Sequence, residues 1–323
     1  MRPHGGRSPA LRSLAAGPRQ GLWAGRTTAF EVSVAGPYSS VFRDGLFAGE
    51  VALVTGGGTG IGRCIAHELA ALGATVVVSG RRPEPLDAVV AEIHEAGGRA
   101  AAQPMNIRDE VAVDEAIAAV VARHGRLDML INNAGGQFAS PAAHIRPKGW
   151  RAVIDTNLNG TFWVSQSCYR HAMGAHGGRI VSVVADMWNG FPGMAHTGAA
   201  RAAVVNLTMS LAIEWAPAGV RVNAVAPGYV LSSGLANYPE PVQAVAARVM
   251  PRNPSSRLAT ESECSAAVTF LLTPAAAFIT GTTLRVDGGA SLQKEPMVPM
   301  PPHDRNPAWD GFHLAAKAPD RFK

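Results

Sequence analysis

The chain has 323 residues, of which 47% are hydrophobic and 16% are charged, and its formal net charge is +5. This composition is typical of a folded globular protein and excludes an intrinsically disordered one. Residues 1–48 carry six arginines against two acidic residues, which accounts for +4 of that charge. The rest of the chain is therefore nearly neutral, which excludes a charge-based case for nucleic-acid binding.

Cysteine content and hydropathy exclude further classes of protein. Cys64, Cys168 and Cys264 are odd in number and widely dispersed. This pattern fits a reducing compartment and predicts neither a disulfide framework nor a metal site. No apolar stretch approaches the length of a membrane-spanning helix, so we expect no membrane association.

In chain order, the sequence divides into three parts. Residues 1–48 are rich in Arg, Gly and Pro and show no sustained periodicity. They predict a flexible N-terminal extension; an organellar targeting segment and an over-extended start are alternatives, and there is no apolar core of the signal-peptide type. Residues 49–290 alternate strand-like and helical patterns and predict one domain. Residues 291–323 shift to Pro, His and aromatic residues, and we expect an irregular tail that packs on the body or on a neighbouring subunit.

The most informative stretch begins at residue 51 and reads Val-Ala-Leu-Val-Thr-Gly-Gly-Gly-Thr-Gly-Ile-Gly-Arg. It is an apolar strand that runs into a glycine-rich turn and then into an amphipathic helix. Gly56 permits the turn, Gly60 allows close approach to a phosphate, and Gly62 allows the helix to pack on the sheet. The stretch predicts a dinucleotide-binding turn at a helix N-terminus, whereas the glycines alone would also suit a flexible loop.

The remaining strand candidates alternate with helical segments, as the βα units of a parallel sheet require. We therefore predict the α/β class, with a single Rossmann-type doubly wound parallel sheet and helices on both faces. The predicted strands are Val51–Thr55, Thr75–Ser79, Met129–Asn132, Ile180–Val184, Arg221–Ala226 and Thr283–Val286.

The end of the second predicted strand bears on the choice of dinucleotide. NAD-binding sheets of this type place a carboxylate here for the ribose 2′-hydroxyl, but this chain has Ser79, Arg81 and Arg82. A guanidinium group pairs with a 2′-phosphate, which a carboxylate would repel. The sequence therefore predicts NADP(H), with two ordinary surface arginines as the alternative.

Further motifs follow in a recognisable order: Asn132-Asn-Ala-Gly135, Asn157 within Thr156–Phe162, Pro227-Gly228, and Phe278–Gly289. With the Gly-x3-Gly-x-Gly turn, they make residues 48–290 resemble the short-chain dehydrogenase/reductase family. The resemblance implies a set of cofactor-binding residues: Gly56, Thr59, Gly60, Ile61, Gly62, Ser79, Arg81, Arg82, Asn106, Ile107, Asn133, Ala134, Gly135, Arg201, Pro227, Gly228 and Ser232.

The catalytic pattern departs from that of most of the family, which uses Ser, Tyr and Lys, with Tyr and Lys four residues apart on one helix. Here Thr197 stands at the Tyr position and Arg201 at the Lys position, while the Ser position falls at Val184 or Ala185. Hydride transfer to a ketone makes a basic alkoxide that needs an adjacent acid. Transfer to an unsaturated thioester makes a delocalised enolate that hydrogen bonds can stabilise. The pattern therefore favours reduction of a conjugated alkene.

Four segments carry a narrower resemblance: Gly135–Ile145, Lys148–Trp150, Thr156–Phe162 and His196–Arg201. They are similar to the trans-2-enoyl-CoA reductase branch, peroxisomal and bacterial, with 2,4-dienoyl-CoA reductases as more distant kin. That branch also has Arg at the Lys position and lacks the Tyr. The resemblance implies an NADPH-dependent enzyme of fatty-acid metabolism that reduces an enoyl-CoA thioester. The alternatives are an alcohol dehydrogenase or ketoreductase with a replaced acid, such as His196 or Tyr229, and a catalytically silent NADPH-binding protein.

The resemblance also implies roles for individual residues. Arg201 would hold the cofactor ribose as a fixed charge, and Asn157 would position a water or brace its helix. His196 and Thr197 are candidates to donate to the thioester oxygen. Asp186 is a further catalytic candidate, because it has the strand parity of Ser182. Each of the last three also suits a structural role.

The candidate substrate contacts lie on loops after strands, where open α/β sheets bind ligands. They are Gln137, Phe138, Met187, Trp188 and Tyr229. We expect an acyl-CoA-type small-molecule substrate, no nucleic-acid partner, and a homotetramer formed through helices near 150–173 and 200–215. The chain ends without a Ser-Lys-Leu peroxisomal signal, so we expect a bacterial cytoplasmic setting.

Overall fold

The structure is a computed structural model that describes residues 37–233, 244, 253–292 and 303–316. The strands of the described chain are β1 (Val51–Thr55), β2 (Thr75–Gly80), β3 (Arg99–Pro104), β4 (Met129–Asn132), β5 (Gly178–Val183), β6 (Val220–Pro227) and β7 (Thr283–Val286). They form one parallel sheet in the spatial order β3-β2-β1-β4-β5-β6-β7. This confirms the predicted Rossmann-type sheet, in which the strand order reverses between β1 and β4.

Helices connect the strands and cover both faces of the sheet. They are α1 (Gly60–Ala71), α2 (Pro83–Glu95), α3 (Glu110–His124), α4 (Pro147–Ile154), α5 (Gly160–Cys168), α6 (Gly174–His176), α7 (Ala195–Glu214) and α8 (Glu261–Leu272). Two π-helical stretches, Asp155–Asn159 and Tyr169–Met173, join α4, α5 and α6 end to end. Short 3-10 turns occupy Ala142–His144, Ala216–Ala218, Pro274–Ala276 and Ala290–Leu292.

The strand alternation divides the core into two layers. Ala52 and Val54 of β1 face one cluster of buried residues, which includes side chains of α1, α2 and α8. Val51 and Leu53 face the other cluster, which includes side chains of α3, α5 and α7. Because successive strand residues point to opposite faces, a strand buried on both faces must be apolar throughout, as β1 is.

The observed strands differ in detail from the predicted ones. β3 was absent from the apolar strand candidates, because its sequence Arg-Ala-Ala-Ala-Gln-Pro contains no β-branched or aromatic residue. β5 begins two residues before its predicted start and ends at Val183, so Val184 follows the strand. Among the described strands, β3 lies at the edge of the sheet and pairs with β2 alone, so its position rather than its own propensity decides its conformation.

Both outer segments contain residues that pack on the domain. Tyr38 and Phe47, which we assigned to the N-terminal extension, are buried, and the Phe47 N–H donates to the carbonyl of Leu72. In the C-terminal segment, Phe312 is buried beside Tyr38 and His67. The extension thus includes packed residues from position 38 onward, while residues 1–36 lie outside the described part of the chain.

Candidate active site

A cavity of about 520 Å³ opens at the carboxyl ends of the strands, around the point where the strand order reverses. Open α/β sheets bind their ligands at this position. Its wall contains Gly56, Gly58, Thr59, Gly60, Ile61, Ser79, Gly80, Arg81, Arg82, Pro85, Leu86, Met105, Asn106, Ile107, Arg108, Asn133, Ala134, Gly135, Gly136, Gln137, Phe138, Ala152, Val153, Thr156 and Ser232.

The glycine-rich turn is held against β4 by an amide side chain. Asn133 Nδ2 donates to the carbonyl oxygens of Thr55 and Gly56, each at 3.1 Å. Gly56 has φ +64, a left-handed conformation that favours glycine. A Cβ at Gly62 would overlap Asn133 Nδ2 and the Gly56 carbonyl oxygen, so only glycine allows α1 to approach this closely. The N-terminus of α1 therefore faces the cavity with its backbone N–H groups available to an anion.

The end of β2 presents a hydroxyl group and two guanidinium groups to the cavity. Ser79 is buried, and its Oγ has no hydrogen-bond partner among the described residues. Arg81 and Arg82 are exposed side chains of the cavity wall. A buried hydroxyl without a partner is costly, and an oxygen-rich ligand in the cavity would satisfy it.

Asn157 and Arg201 converge on Gly135 at the inner end of the cavity. Asn157 Nδ2 donates to the Gly136 carbonyl at 2.7 Å, and its Oδ1 accepts the Gly136 N–H at 3.2 Å. Arg201 Nη1 donates to the Val183 carbonyl at 2.8 Å, and its Nη2 lies against Gly135. Asn157 is in the π-helical stretch between α4 and α5, a distortion that is frequent at functional sites.

His196 and Thr197 are wholly buried at the start of α7 and lie outside the cavity wall. His196 Nδ1 accepts the Thr197 N–H at 2.8 Å, which leaves the ring proton on Nε2. The imidazole packs edge-on against the Phe138 ring at a centroid distance of 4.5 Å. Phe138 is part of the wall, so His196 contacts the cavity through that ring.

Asp186 lies on the loop after β5, near Tyr229, Asp287 and Arg285. Burial and the negative charge of Asp287 raise the pKa of Asp186 above its ordinary value. Its Oδ1 is buried and has no hydrogen-bond partner in the described part of the chain. Burial and the charge of Asp186 in turn raise the pKa of Tyr229. This group of residues combines a carboxyl and a phenol, both of which hold their protons more tightly than usual.

The cavity brings together many, but not all, of the residues that the sequence singled out. Most of the predicted cofactor residues line it, as do Gln137 and Phe138, while Met187, Trp188 and Tyr229 lie on neighbouring loops outside the wall. Of the cofactor set, Gly62, Arg201, Pro227 and Gly228 also lie outside the wall. Other residues of the wall are absent from the predicted set. They include Pro85, Leu86, Met105, Arg108, the α4 residues Ala152 and Val153, and Thr156 of the π-helical stretch. Arg108 directly follows the predicted residue Ile107, and Thr156 adjoins Asn157, so these neighbouring motifs were the available signals for both.

A family profile described as short chain dehydrogenase matches residues 50–242. The chain belongs to the short-chain dehydrogenase/reductase family. This short-chain dehydrogenase/reductase is 39% identical over 247 residues to the probable 2,4-dienoyl-CoA reductase [(2E)-enoyl-CoA-producing] of Bacillus subtilis (strain 168). The match covers 76% of this chain and 97% of that protein.

Two solved structures are similar to this short-chain dehydrogenase/reductase. The citronellol catabolism dehydrogenase of Pseudomonas aeruginosa PAO1 is 48% identical, with a TM-score of 0.71, over 79% of this chain and 100% of that one. A putative NAD(P) dependent gluconate 5-dehydrogenase from Beutenbergia cavernae, with bound NADP at low occupancy, is 38% identical, with a TM-score of 0.69. That match covers 76% of this chain and 98% of the other.

The residues of the cavity fit the nicotinamide dinucleotide that this family binds. The unpaired Ser79 hydroxyl, the guanidinium groups of Arg81 and Arg82, and the N-terminus of α1 all suit a phosphorylated ligand. Among the residues that the structure describes, no three His, Cys, Asp or Glu side chains form a metal-binding group. In the same part of the chain, no helix is both long enough and apolar enough to cross a bilayer.

Proposed function

We propose that this short-chain dehydrogenase/reductase uses NADPH to reduce the conjugated C=C bond of an enoyl-CoA thioester. The arrangement around Gly135 carries the proposal, because Asn157 and Arg201 meet there without the family's usual phenol. The position of that phenol is Thr197, which is wholly buried and lies outside the cavity wall. An alkoxide needs an adjacent acid, whereas a thioester enolate can be stabilised by hydrogen bonds alone.

The preference for NADPH rests on the end of β2. Ser79, Arg81 and Arg82 line the cavity there, where a family member that uses NAD would place a carboxylate. A guanidinium group pairs with a phosphate in a bidentate manner, and the buried Ser79 hydroxyl adds a further donor. The NADP bound to the Beutenbergia cavernae protein, a 38% identical relative, supports the same preference.

The residues at the inner end of the cavity divide the remaining tasks. A bound nicotinamide supplies the hydride. Arg201 acts as a fixed positive charge beside Gly135. Asn157 fixes the backbone of Gly136 through both of its amide atoms. Asp186 lies outside the cavity wall, on the loop after β5, and is the proposed source of the proton that the enolate carbon receives; its raised pKa favours the protonated form.

The substrate portion of the proposal uses the residues around the mouth of the cavity. Gln137 and Phe138 line the wall, and His196 supports the Phe138 ring from behind. Met187, Trp188 and Tyr229 lie on the loops after β5 and β6, outside the wall, and we assign the acyl chain to these loops. The similarity to a dienoyl-CoA reductase supports a CoA thioester as the substrate class.

An alcohol dehydrogenase or ketoreductase is the second candidate, and one observation favours it. Asp186 lies close enough to the Tyr229 phenol for its negative charge to raise the pKa of that phenol. A tyrosine from another loop is therefore available as a replacement acid. The 48% identity to a citronellol catabolism dehydrogenase agrees with this alternative. A silent NADPH-binding protein is the third candidate, which an absence of turnover would favour.

A substrate panel with NADPH separates the three candidates. We expect turnover of crotonyl-CoA or a longer enoyl-CoA, with a kcat/KM at least ~100-fold above that for simple ketones. Arg201→Met is the control, since misplacement of the hydride donor should lower kcat on the enoyl thioester by ~100-fold. Turnover of ketones or alcohols without enoyl thioesters would favour the second candidate. Tight NADPH binding with no turnover on any of them would favour the third.

The cellular setting and the assembly belong to the same proposal. Fatty-acid or branched-acyl metabolism in a bacterial cytoplasm suits a CoA-dependent reductase, and the Bacillus subtilis relative supports it. We also propose that the chain assembles as a homotetramer. Large apolar side chains left exposed on α7 and β7 support an assembly with further copies of the chain.

A further inference from the structure

A carboxyl group with no part in the proposed reaction lies beside the glycine-rich turn. Glu261 is the first residue of α8 and is only 3% exposed. Its Oε1 lies 3.8 Å from the position that a Cβ would take at Gly60, the first residue of α1. The family's dinucleotide places its phosphates at the N-terminus of α1. Glu261 therefore places a potential negative charge next to an anion-binding site.

Two further segments of the chain meet at this carboxyl group. The backbone N–H groups of Ser233 and Ala316 both donate hydrogen bonds to Glu261. Ser232 lines the cavity, and Ser233 Oγ lies 3.6 Å from the same Cβ position at Gly60. The Glu261 carboxyl thus joins the loop after β6 and the C-terminal segment 303–316 to the glycine-rich turn.

The C-terminal segment is bound to α8 by several other contacts. Thr260 Oγ1 donates to the Trp309 carbonyl at 2.7 Å, and Ser262 Oγ donates to Asp310 at 2.9 Å. The Gly311 N–H donates back to Ser262 Oγ at 3.1 Å. These contacts hold the segment against the first turn of α8, so a change at Glu261 acts on a segment that is already in place.

The charged groups that face Glu261 come from each neighbouring element. Burial and the negative charge of Asp310 raise the pKa of Glu261, while Arg63 on α1 and the two backbone N–H groups lower it. Together, these opposing effects raise the pKa of Glu261 to about 7. Burial also raises the pKa values of the Cys64 and Cys264 thiols, so both stay neutral. Glu263, two residues along α8, is instead paired with Arg257.

We propose that Glu261 is a positioning residue for the cofactor. Its carboxyl group holds Ser233 and the C-terminal segment at the glycine-rich turn, and it takes up a proton when the dinucleotide binds. A carboxylate at this position repels the pyrophosphate, whereas the neutral acid does not. The protonated carboxyl can still accept both backbone hydrogen bonds. The proposal depends only on dinucleotide binding, and it is independent of the substrate reduced.

Calorimetric binding of NADPH to the full chain between pH 6 and pH 9 tests the proton uptake. If binding raises the pKa of Glu261 by one unit, the Kd should rise about tenfold across this range. Titrations at pH 7 in two buffers of different ionisation enthalpy should show net proton uptake. NADH is measured in parallel, because the 2′-phosphate of NADPH itself titrates near pH ~6.

Glu261→Gln is the matched control, since it keeps the shape of the side chain and cannot titrate. Its Kd for NADH should stay within about twofold across the same pH range. Proton uptake by the wild type that is absent in the glutamine variant supports the proposal. No proton uptake by the wild type, or an equal pH dependence in the variant, overturns it. The wild-type buffer comparison decides the matter alone if the variant fails to fold.

Hydrogen exchange tests the structural half of the proposal. Glu261→Ala removes the acceptor and should speed amide exchange at Ser233 and Ala316 by roughly tenfold or more, whereas Gly311 and Phe312, whose N–H groups donate to Ser262, should keep the wild-type protection. Glu261→Gln, which retains one acceptor oxygen, should have a smaller effect than Glu261→Ala. Unchanged protection of Ser233 and Ala316 in the alanine variant would overturn the joining role of Glu261. None of these measurements uses a substrate, so a failed reductase proposal leaves them interpretable.

Discussion

Arg81 and Arg82 follow β2 at the wall of the cavity, next to the unpaired hydroxyl of Ser79. Replacing Arg81 with Ala should weaken NADPH binding by ~1.5–3 kcal/mol, the usual scale for the loss of a charged hydrogen bond. The affinity for NADH should barely change, because NADH has no phosphate at the ribose 2′ position. Fluorescence titration of both dinucleotides measures the two effects.

A control variant separates the phosphate contact from the loss of net charge. Arg123 is an exposed side chain on α3, so Arg123→Ala should leave both affinities unchanged. An equal loss of NADH and NADPH affinity in Arg81→Ala would contradict the assignment of Arg81 to the 2′-phosphate. It would instead indicate a general contribution of Arg81 to the shape of the cavity.

Residues on α7 show the limit of sequence reasoning at this scale. The spacing of Thr197 and Arg201 matched the family's Tyr and Lys positions and predicted a departure from its usual chemistry. It could not reveal that His196 and Thr197 are wholly buried, or that the imidazole packs against Phe138. The burial of His196 and Thr197 depends on loops that meet only in the folded chain. The Ser140 N–H, for example, donates to the Gly193 carbonyl and joins two such loops.

At the scale of elements, a buried carboxyl group links α1, α8 and the segment before β1. Glu68 is fully buried and accepts hydrogen bonds from the hydroxyl groups of Tyr38, Ser40, Ser265 and Thr269. Burial raises the pKa of Glu68 above its ordinary value, although the four hydroxyl groups lower it. The carboxylate form is therefore a net cost to the folded state.

The pH dependence of stability should report this cost. Because the folded-state pKa of Glu68 is raised, its favourable contribution is fully present below the unfolded-state pKa of 4.5 and is lost as pH rises through the folded-state pKa. Glu68→Gln does not titrate. The free energy of unfolding of the variant should therefore improve relative to that of the wild type as the pH rises from 5 to 8. Urea denaturation at both pH values measures it; a difference independent of pH would contradict the assignment.

The order of strands and helices was largely predictable, because apolar runs and the glycine-rich turn are local signals. β1, β4 and β7 have the predicted bounds. β1 and β4 are mainly apolar, whereas β7 (Thr-Leu-Arg-Val) is bounded by the turns at Gly281 and Gly288. β3 has no such signal, and the π-helical stretch around Asn157 has none either. Both are decided by tertiary contacts: β3 by its pairing with β2, and Asn157 by its bonds to Gly136.

At the scale of the whole molecule, the exposed apolar side chains are unevenly placed. Met209 and Ile213 lie one turn apart on α7 and are 43% and 76% exposed. Gly281, which precedes β7, packs against the same turn of α7 at Ala212, and Leu284 lies on β7 at the edge of the sheet. Leu284 and nearby Phe278 are also exposed, so this side of the molecule offers an apolar surface to another copy of the chain.

The assembly should therefore depend on this surface. Full burial of an isoleucine side chain contributes about 1.5–3 kcal/mol, and an isologous contact uses the residue twice. Ile213→Glu should lower the mass measured by sedimentation from that of a tetramer to that of a dimer or monomer. Val111→Glu is the matched control, because Val111 is 62% exposed on α3 and belongs to no such surface. A monomeric wild type, or an equal loss of mass in both variants, would contradict the role of this surface in assembly.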